Sequence, residues 1–445
     1  MNRHIGEEFL SLCNLESEYF LPLLERSCIR WNISEEELTT AVKKYIPTYY
    51  RVELNGIRKL LGLYVEEWLR FEELKNEDSV KIYFNVPGSV SGMLWLKESI
   101  QKNVYLGTPD LICMVVLYGV LGIKQKLENN SCRHCAVNLM RYHLSKDHMI
   151  PKPNIRWSWG LLCDEAPKMD EMIRISEQAS KNIIISKPAK VGEKEVYLKE
   201  QILEAFYDIK QDYLLKLNSE VYRRIKKERF LLSAKIEQIM RIMNKKERFI
   251  ISNADISLIE TLLLAAFRCD QKDIIQILGE LINEINIAET KEFYKKLNRI
   301  EKKYAIYYTP VCNPEYSRIF EENEIALLFY TAFKSRAVYT GKKDCYEDIV
   351  LECTQMLIGE TAQEEGIQIS NLILEQHLDG LILGMFSFDR WLGAHQNLLK
   401  KIVEKRTEKN VFIYETDFWN QESFTQDRMK TSIETLKKIG VMEWL

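Results

Sequence analysis

No stretch of this 445-residue chain comes near the uninterrupted apolar length, about 18 residues, that reads as a membrane-crossing helix. The most apolar run, LICMVVLYGVLGI at 111–123, has the length of a buried core helix. Charge of one sign is also lacking: 62 Lys and Arg stand against 65 Asp and Glu, leaving a net charge of −3. No general attraction to nucleic acid or to an anionic membrane is therefore expected. The basic runs RRIKKER (223–229) and NKKER (244–248) lie in helical patterns rich in acids and read as solvated helix faces. The first residues, MNRHIGEEFLSLC, lack the basic-then-apolar layout of a secretory signal. Familiar chemical signatures are missing as well. There is no Gly-x-Gly-x-x-Gly, no P-loop, no Gly-x-Ser-x-Gly elbow and no His-Glu-x-x-His. The six histidines are dispersed; His134, His143 and His148 are neighbours in sequence without ligand spacing and read as ordinary surface or core residues.

What is present is the pattern of a wound α/β protein. Residues 1–78 carry helical periodicity, with a Ser-x-x-Glu capping box opening SEEELTTAVKKYI at 34. In 79–194, strands VKIYFNVPG (80–88), NIRWSWGLL and NIIIS (182–186) alternate with helical stretches, including TPDLICMVVLYGVLGI and the segment through CRHCAVNLMRYHL. Residues 195–303 hold long 3.6-period stripes and no convincing strand. Alternation resumes over 304–445, through YAIYYTPV, EIALLFYTA, LDGLILGMFSF and KNVFIYETD, and closes on the amphipathic SFTQDRMKTSIETLKKI. The expectation is two doubly wound parallel-sheet lobes with a helical segment between them. Ligands of such sheets bind beyond the carboxyl ends of the strands, so 132–135, 159–168, 310–314, 384–391 and 417–421 are the stretches to inspect.

Sulfur stands out there. The ten cysteines are scattered rather than framed, and the chain is too large to need disulfide staples, which points to a reducing cytoplasm with thiols free for packing or for metal. SCRHCAVNLM places Cys132 and Cys135 three apart, on one face if the segment is helical. In WGLLCDEAPK, Cys163 follows a strand of the same lobe. A lone Cys-x-x-Cys fits packing as well as metal, since a zinc site would need a second pair. Thiolates at adjacent strand ends are also how a wound fold would hold an iron–sulfur cluster.

These stretches resemble the 2-hydroxyacyl-CoA dehydratase family, which includes the benzoyl-CoA reductase subunits. SCRHCAVNLM is similar to the family's first cysteine segment and IPKPNIRWSWGLLCDEAPK to its second. LDGLILGMFSFDRWLGAHQNLLKKIVEKRTEKNVFIYETDFW resembles the family's Asp-Gly strand, cysteine loop, helix and acidic strand end, and QDRMKTSIETL its closing helix, with Arg428 at the arginine position. The resemblance implies a [4Fe-4S] cluster held by Cys132 and Cys163, with Cys135 in reserve. The family's third cysteine falls on Asp389, a harder donor less suited to a sulfide cluster. The resemblance thus implies either a cluster with a non-cysteine third ligand or a site that has lost its cluster. It further implies an acyl-CoA substrate, a homologous second subunit in a homo- or heterodimer, and an ATP-dependent activator that delivers one low-potential electron. In that chemistry an electron added to the thioester carbonyl gives a ketyl radical that expels the α-hydroxide and acidifies the β proton. A cluster-free structural subunit supporting a catalytic homologue is the alternative.

Overall fold

A computed structural model describes the chain apart from residues 1, 87, 124–135, 162–164, 178–179, 187–193, 291, 308–313, 332–343, 355–360, 386–389, 416–429, 432 and 435–445. The N-terminal region forms α1 (Arg3–Leu12), α2 (Ser17–Arg30), α3 (Glu35–Thr40), α4 (Ile46–Tyr49) and α5 (Asn55–Leu69). The capping box is present as read: the Ser34 hydroxyl accepts from the Glu37 N–H, and the Glu37 carboxylate accepts from the Ser34 N–H at 2.7 Å.

A first sheet follows, from β1 (Val80–Phe84), α6 (Val90–Ser99), β2 (Val104–Gly107), α7 (Pro109–Met114), α8 (Ala136–Lys146), β3 (Ile155–Gly160), α9 (Glu165–Glu177) and β4 (Lys181–Ser186). All its pairings are parallel, in the order β2-β1-β3-β4. The intervening segment is helical: α10 (Lys194–Asp212), α11 (Ser219–Asn244), α12 (Asn253–Thr261) and α13 (Gln271–Ala288). The second sheet comprises β5 (Lys302–Tyr307), α14 (Pro314–Glu322), β6 (Ile325–Tyr330), α15 (Cys345–Thr354), α16 (Ala362–Glu375), β7 (Gly380–Met385), α17 (Arg390–Thr407) and β8 (Asn410–Glu415). It too is wholly parallel, in the order β6-β5-β7-β8. The chain is α/β, with two four-stranded parallel sheets and a helical segment between them.

Two local features depart from the sequence reading. β2 was not anticipated; it is a four-residue edge strand, too short for a clear apolar run. The single helix expected over 108–123 is α7 followed by a wider π turn at Val115–Val120, with the Leu121 N–H donating to Val116 O at 2.8 Å. Tyr50 donates to Gly119 O at 2.7 Å and Tyr45 to Tyr118 O at 3.0 Å. Gly122 then turns the chain at φ +64°, where a Cβ would lie 2.5 Å from the Tyr45 ring. The N-terminal helices thus fix the path of the chain up to residue 123.

One apolar core runs from Phe9, Leu24 and Trp68 through Leu232, Ile259 and Leu278 to Ile306, Leu328 and Leu381 of the second sheet. A second core covers one face of the first sheet, where Ile82, Trp157 and Ile185 meet Phe206 of α10 and Ile349 of α15. α15 is bolted there by charge as well. Lys226 of α11 is buried, 2.8 Å from Glu352 and 3.2 Å from Asp348, and Tyr222 donates to Asp348 at 2.8 Å. Burial opposes the ammonium, but the two carboxylates outweigh it and hold its pKa above the ordinary lysine value. The run RRIKKER is therefore not simply a solvated face. Arg229 is buried too and donates to the carbonyls of Leu262 and Leu263, because α11 passes between other elements and needs polar partners on its inner side.

Candidate functional site

The two strand orders are the same once four is added to each number of the first. In each, the chain leaves the first strand to one side and returns on the other, so the direction of winding reverses between β1 and β3 and again between β5 and β7. The carboxyl ends beside these reversals are where wound sheets bind ligands. Cys163 comes three residues after Gly160 closes β3, and Asp389 four residues after Met385 closes β7. The two candidates occupy equivalent places in the two topologies. Cys132, Cys135, Cys163 and Asp389 lie outside the described residues, as does Arg428; what is described is the frame on either side of them.

In the first sheet that frame is polar and buried. α8 begins directly after Cys135, and α9 begins two residues after Cys163. Both run against β3: Arg156 near the start of β3 donates to Ser145 near the end of α8 at 2.6 Å, and Ser158 further along donates to Asp170 of α9. The first turns of both helices therefore point to the carboxyl end of β3. Arg141 of α8 joins Asp110 of α7 to Asp170, whose Oδ2 lies 3.7 Å from Nη1. Arg141 stands five residues into α8 and Asp170 five into α9, so the linkage levels the two helix starts. A cavity of ≈ 20 Å³ among Asp110, Arg141, Arg156 and Asp170 has room for a single water and none for a substrate. The network is a brace rather than a pocket.

The end of β3 is held separately. Asn85, just past β1, donates its amide to Trp159 O at 3.1 Å and accepts from the Trp159 N–H, continuing the strand pairing after β1 has ended. Gly88 lets the chain cross the Trp159 ring, since a Cβ there would lie 2.0 Å from it. Sequence reading took this stretch only as the end of the strand run VKIYFNVPG.

At the second sheet, three elements bring a tyrosine, a carboxylate and a histidine together. Tyr307, the last residue of β5, donates to Glu365 Oε2 at 3.1 Å, and His395 Nε2 of α17 lies 2.7 Å from the same oxygen. Glu365 is wholly buried in the first turn of α16, and the His395 side chain is 13% exposed. Sequence reading missed all three. Of the histidines it did weigh, His143 pairs with Asp147 on the outer side of α8 at 3.1 Å and His148 is exposed; His134 lies outside the described residues.

The family model for the 2-hydroxyglutaryl-CoA dehydratase D-component matches residues 120–437, well over half of the chain. The chain belongs to that family. No curated protein matches it. The matched span takes in α8, the elements of both reversals from β3 onward, and all four residues singled out above. Thiolates such as Cys132 and Cys163 suit the iron of the cluster associated with this family, whereas Asp389 offers only hard oxygen. Among the described residues no group of three or more His, Cys, Asp or Glu side chains is placed to hold a metal ion. The described free cysteines Cys13, Cys113 and Cys353 are buried, and burial pushes their thiols up, to about 12 for Cys13; they are packing residues rather than thiolate donors.

Proposed function

We propose that this chain is the iron–sulfur subunit of a 2-hydroxyacyl-CoA dehydratase-like system acting on a CoA thioester. The observation that carries the reading is the equivalence of Cys163 and Asp389, each just beyond the strand that borders a reversal, within a chain of the dehydratase family. Cys132 and Cys163 would supply thiolates, Asp389 a third ligand, and Cys135 a reserve three residues after Cys132. When bound, the [4Fe-4S] cluster supplies the route for one low-potential electron to the thioester. The protein's own share is to hold two helix starts level through Arg141 and Asp170, to fix the β3 end through Asn85, and to keep the donors in register. A homologous second subunit and an ATP-dependent activator complete the system.

The carboxylate at 389 favours a second reading, a cluster-free subunit that supports a catalytic homologue. The two separate in a reconstitution with the homologous subunit, activator, ATP and reductant, supplied anaerobically with a series of 2-hydroxyacyl-CoA thioesters. Formation of the enoyl-CoA that is lost with Cys163→Ala of this chain supports the first reading. Turnover insensitive to that substitution supports the second.

A further inference from the structure

We propose that the surface carrying Arg248 and Arg299, at the amino end of the second sheet, is a docking site for an extended acidic segment of a partner protein. The patch lies at the opposite end of β5 from the carboxyl edge, so its role is independent of the dehydratase reading.

The run NKKER does not continue the helix. α11 ends at Asn244, the Lys303 ammonium donates to the Asn244 carbonyl, and the chain passes into a short ribbon against residues 298–300. The Phe249 N–H donates to Asn298 O at 3.1 Å and the Ile300 N–H to Glu247 O at 2.8 Å. These two bonds bracket Arg248 and Arg299, which stand directly opposite each other as an antiparallel pair. A pair bracketed in this way is the closer kind, with Cα atoms about 4.5 Å apart and both side chains on one side of the ribbon. Phe249 is wholly buried, so alternation turns Arg248, and Arg299 with it, toward the outside.

Like charges directly opposite one another destabilise a ribbon, and the described surroundings do little to neutralise these two. Arg248 donates to Leu297 O and lies 5.9 Å from the centre of the Tyr294 ring. Arg299 is exposed, as are Lys245 and Lys296, each three residues before one of the arginines. Among the described residues none of these four cations forms an ion pair, whereas Lys246 meets Glu289 at 2.8 Å and Lys295 meets Glu292 at 3.2 Å. The negative end of the α11 dipole suits a cation at Lys245. It does not explain Arg299, which arrives from another segment. Residues 245–249 and 289–303 hold nine Lys and Arg against four Glu, in a chain whose net charge is −3. Glu247 and Glu301, the exposed acids beside the pair, leave that excess in place.

The form of the patch selects its occupant. Guanidinium groups side by side suit carboxylates, which they bind through two parallel hydrogen bonds. Cations spread along a ribbon, with Lys245 and Lys296 to either side of the arginines, suit an extended chain of acids better than a single small anion. Ile287 of α13 is 56% exposed, two residues before the Glu289 that holds Lys246, and offers an apolar contact that a protein segment can use. Nucleic acid fits less well. Tyr294, the ring a base would stack on, already lies against Arg248, and the chain as a whole is acidic.

The test is the fluorescence anisotropy of a labelled oligoglutamate peptide titrated with the full chain at low ionic strength. Wild type should bind it, and added salt should weaken the binding. Arg299→Glu should weaken it by about 10-fold or more, the equivalent of one charge-assisted hydrogen bond. The same variant should melt at or above the wild-type temperature, since it turns a like-charged pair into an ion pair. Lys227→Glu, on the exposed side of α11 roughly 25 Å from Asn244, should bind as wild type does. If Arg299→Glu does not fold, Lys245→Gln combined with Lys296→Gln decides in its place, with the same loss expected. The proposal is overturned by a wild type that does not bind, by binding unchanged in Arg299→Glu, or by an equal loss in Lys227→Glu. Displacement of the peptide by equimolar inorganic phosphate overturns it too, as does binding of oligothymidylate or phosphatidylserine vesicles as tight as that of the peptide. None of these outcomes bears on iron content or turnover, so the functional reading stands or falls separately.

Discussion

At the scale of single residues, the account turns on Asp389 and on the brace around Arg141. If Asp389 is a working ligand, Asp389→Cys should keep the cluster and make it more resistant to air and chelators, Asp389→Ala should leave it labile, and Cys163→Ala should abolish it. Iron analysis of the four proteins checks this; iron found only in Asp389→Cys would mean a decayed site restored by one substitution. Arg141 makes a different prediction, because it is buried between two aspartates. Arg141→Met should destabilise the fold by about 3–5 kcal/mol, the effect of leaving a buried carboxylate without its partner. Urea unfolding of wild type and variant would show it, and a loss below about 1 kcal/mol, the level of a surface pair, would mean that the brace bears little. Cys163 and Asp389 could each be picked out in the sequence, but not their equivalence, which appears only when the strand order is known. Arg141, Asp170 and Asn85 carried no local mark, since each meets partners more than ten residues away.

Among elements, most strands were legible because buried parallel strands are written as unbroken apolar runs such as IALLFY and GLILGM. β2 escaped as a short edge strand, and the π turn escaped because its stimulus, the tyrosines Tyr45 and Tyr50, lies some seventy residues earlier in the chain. The Tyr307–Glu365–His395 group escaped for the same reason, spanning 58 and 30 residues. An element-level prediction follows from Glu67 of α5, which accepts from the Arg268 N–H and from the Tyr105 hydroxyl of β2. Burial pushes its carboxyl up to about 7 against these bonds. A carboxyl with a higher pKa folded than unfolded takes up a proton on folding. Its contribution is therefore complete below the unfolded value near 4.5 and disappears as pH rises through about 7. The loss is on the order of 3 kcal/mol. Asp255, buried beneath the α12 cap and also raised to about 7, acts in the same direction. Melting temperatures between pH 4.5 and 8 should fall with pH in wild type and fall less in Glu67→Gln. An equal slope in both would remove Glu67 from the account.

For the whole molecule, the repeated strand order gives the chain two equivalent carboxyl edges, with a cysteine, Cys163, following β3 at one and a carboxylate, Asp389, following β7 at the other. The shared apolar core from the N-terminal helices to the second sheet, with α15 clamped onto the first by Lys226, makes those edges parts of one packed structure. Membership in the dehydratase family supplies the chemistry such an edge would serve. Cluster binding is the central claim, and iron and acid-labile sulfide assayed on the anaerobically purified chain test it most directly. The account predicts brown protein with near-stoichiometric, equal iron and sulfide, both lost in Cys163→Ala. Colourless wild-type protein that takes up neither, even after anaerobic reconstitution, would contradict it.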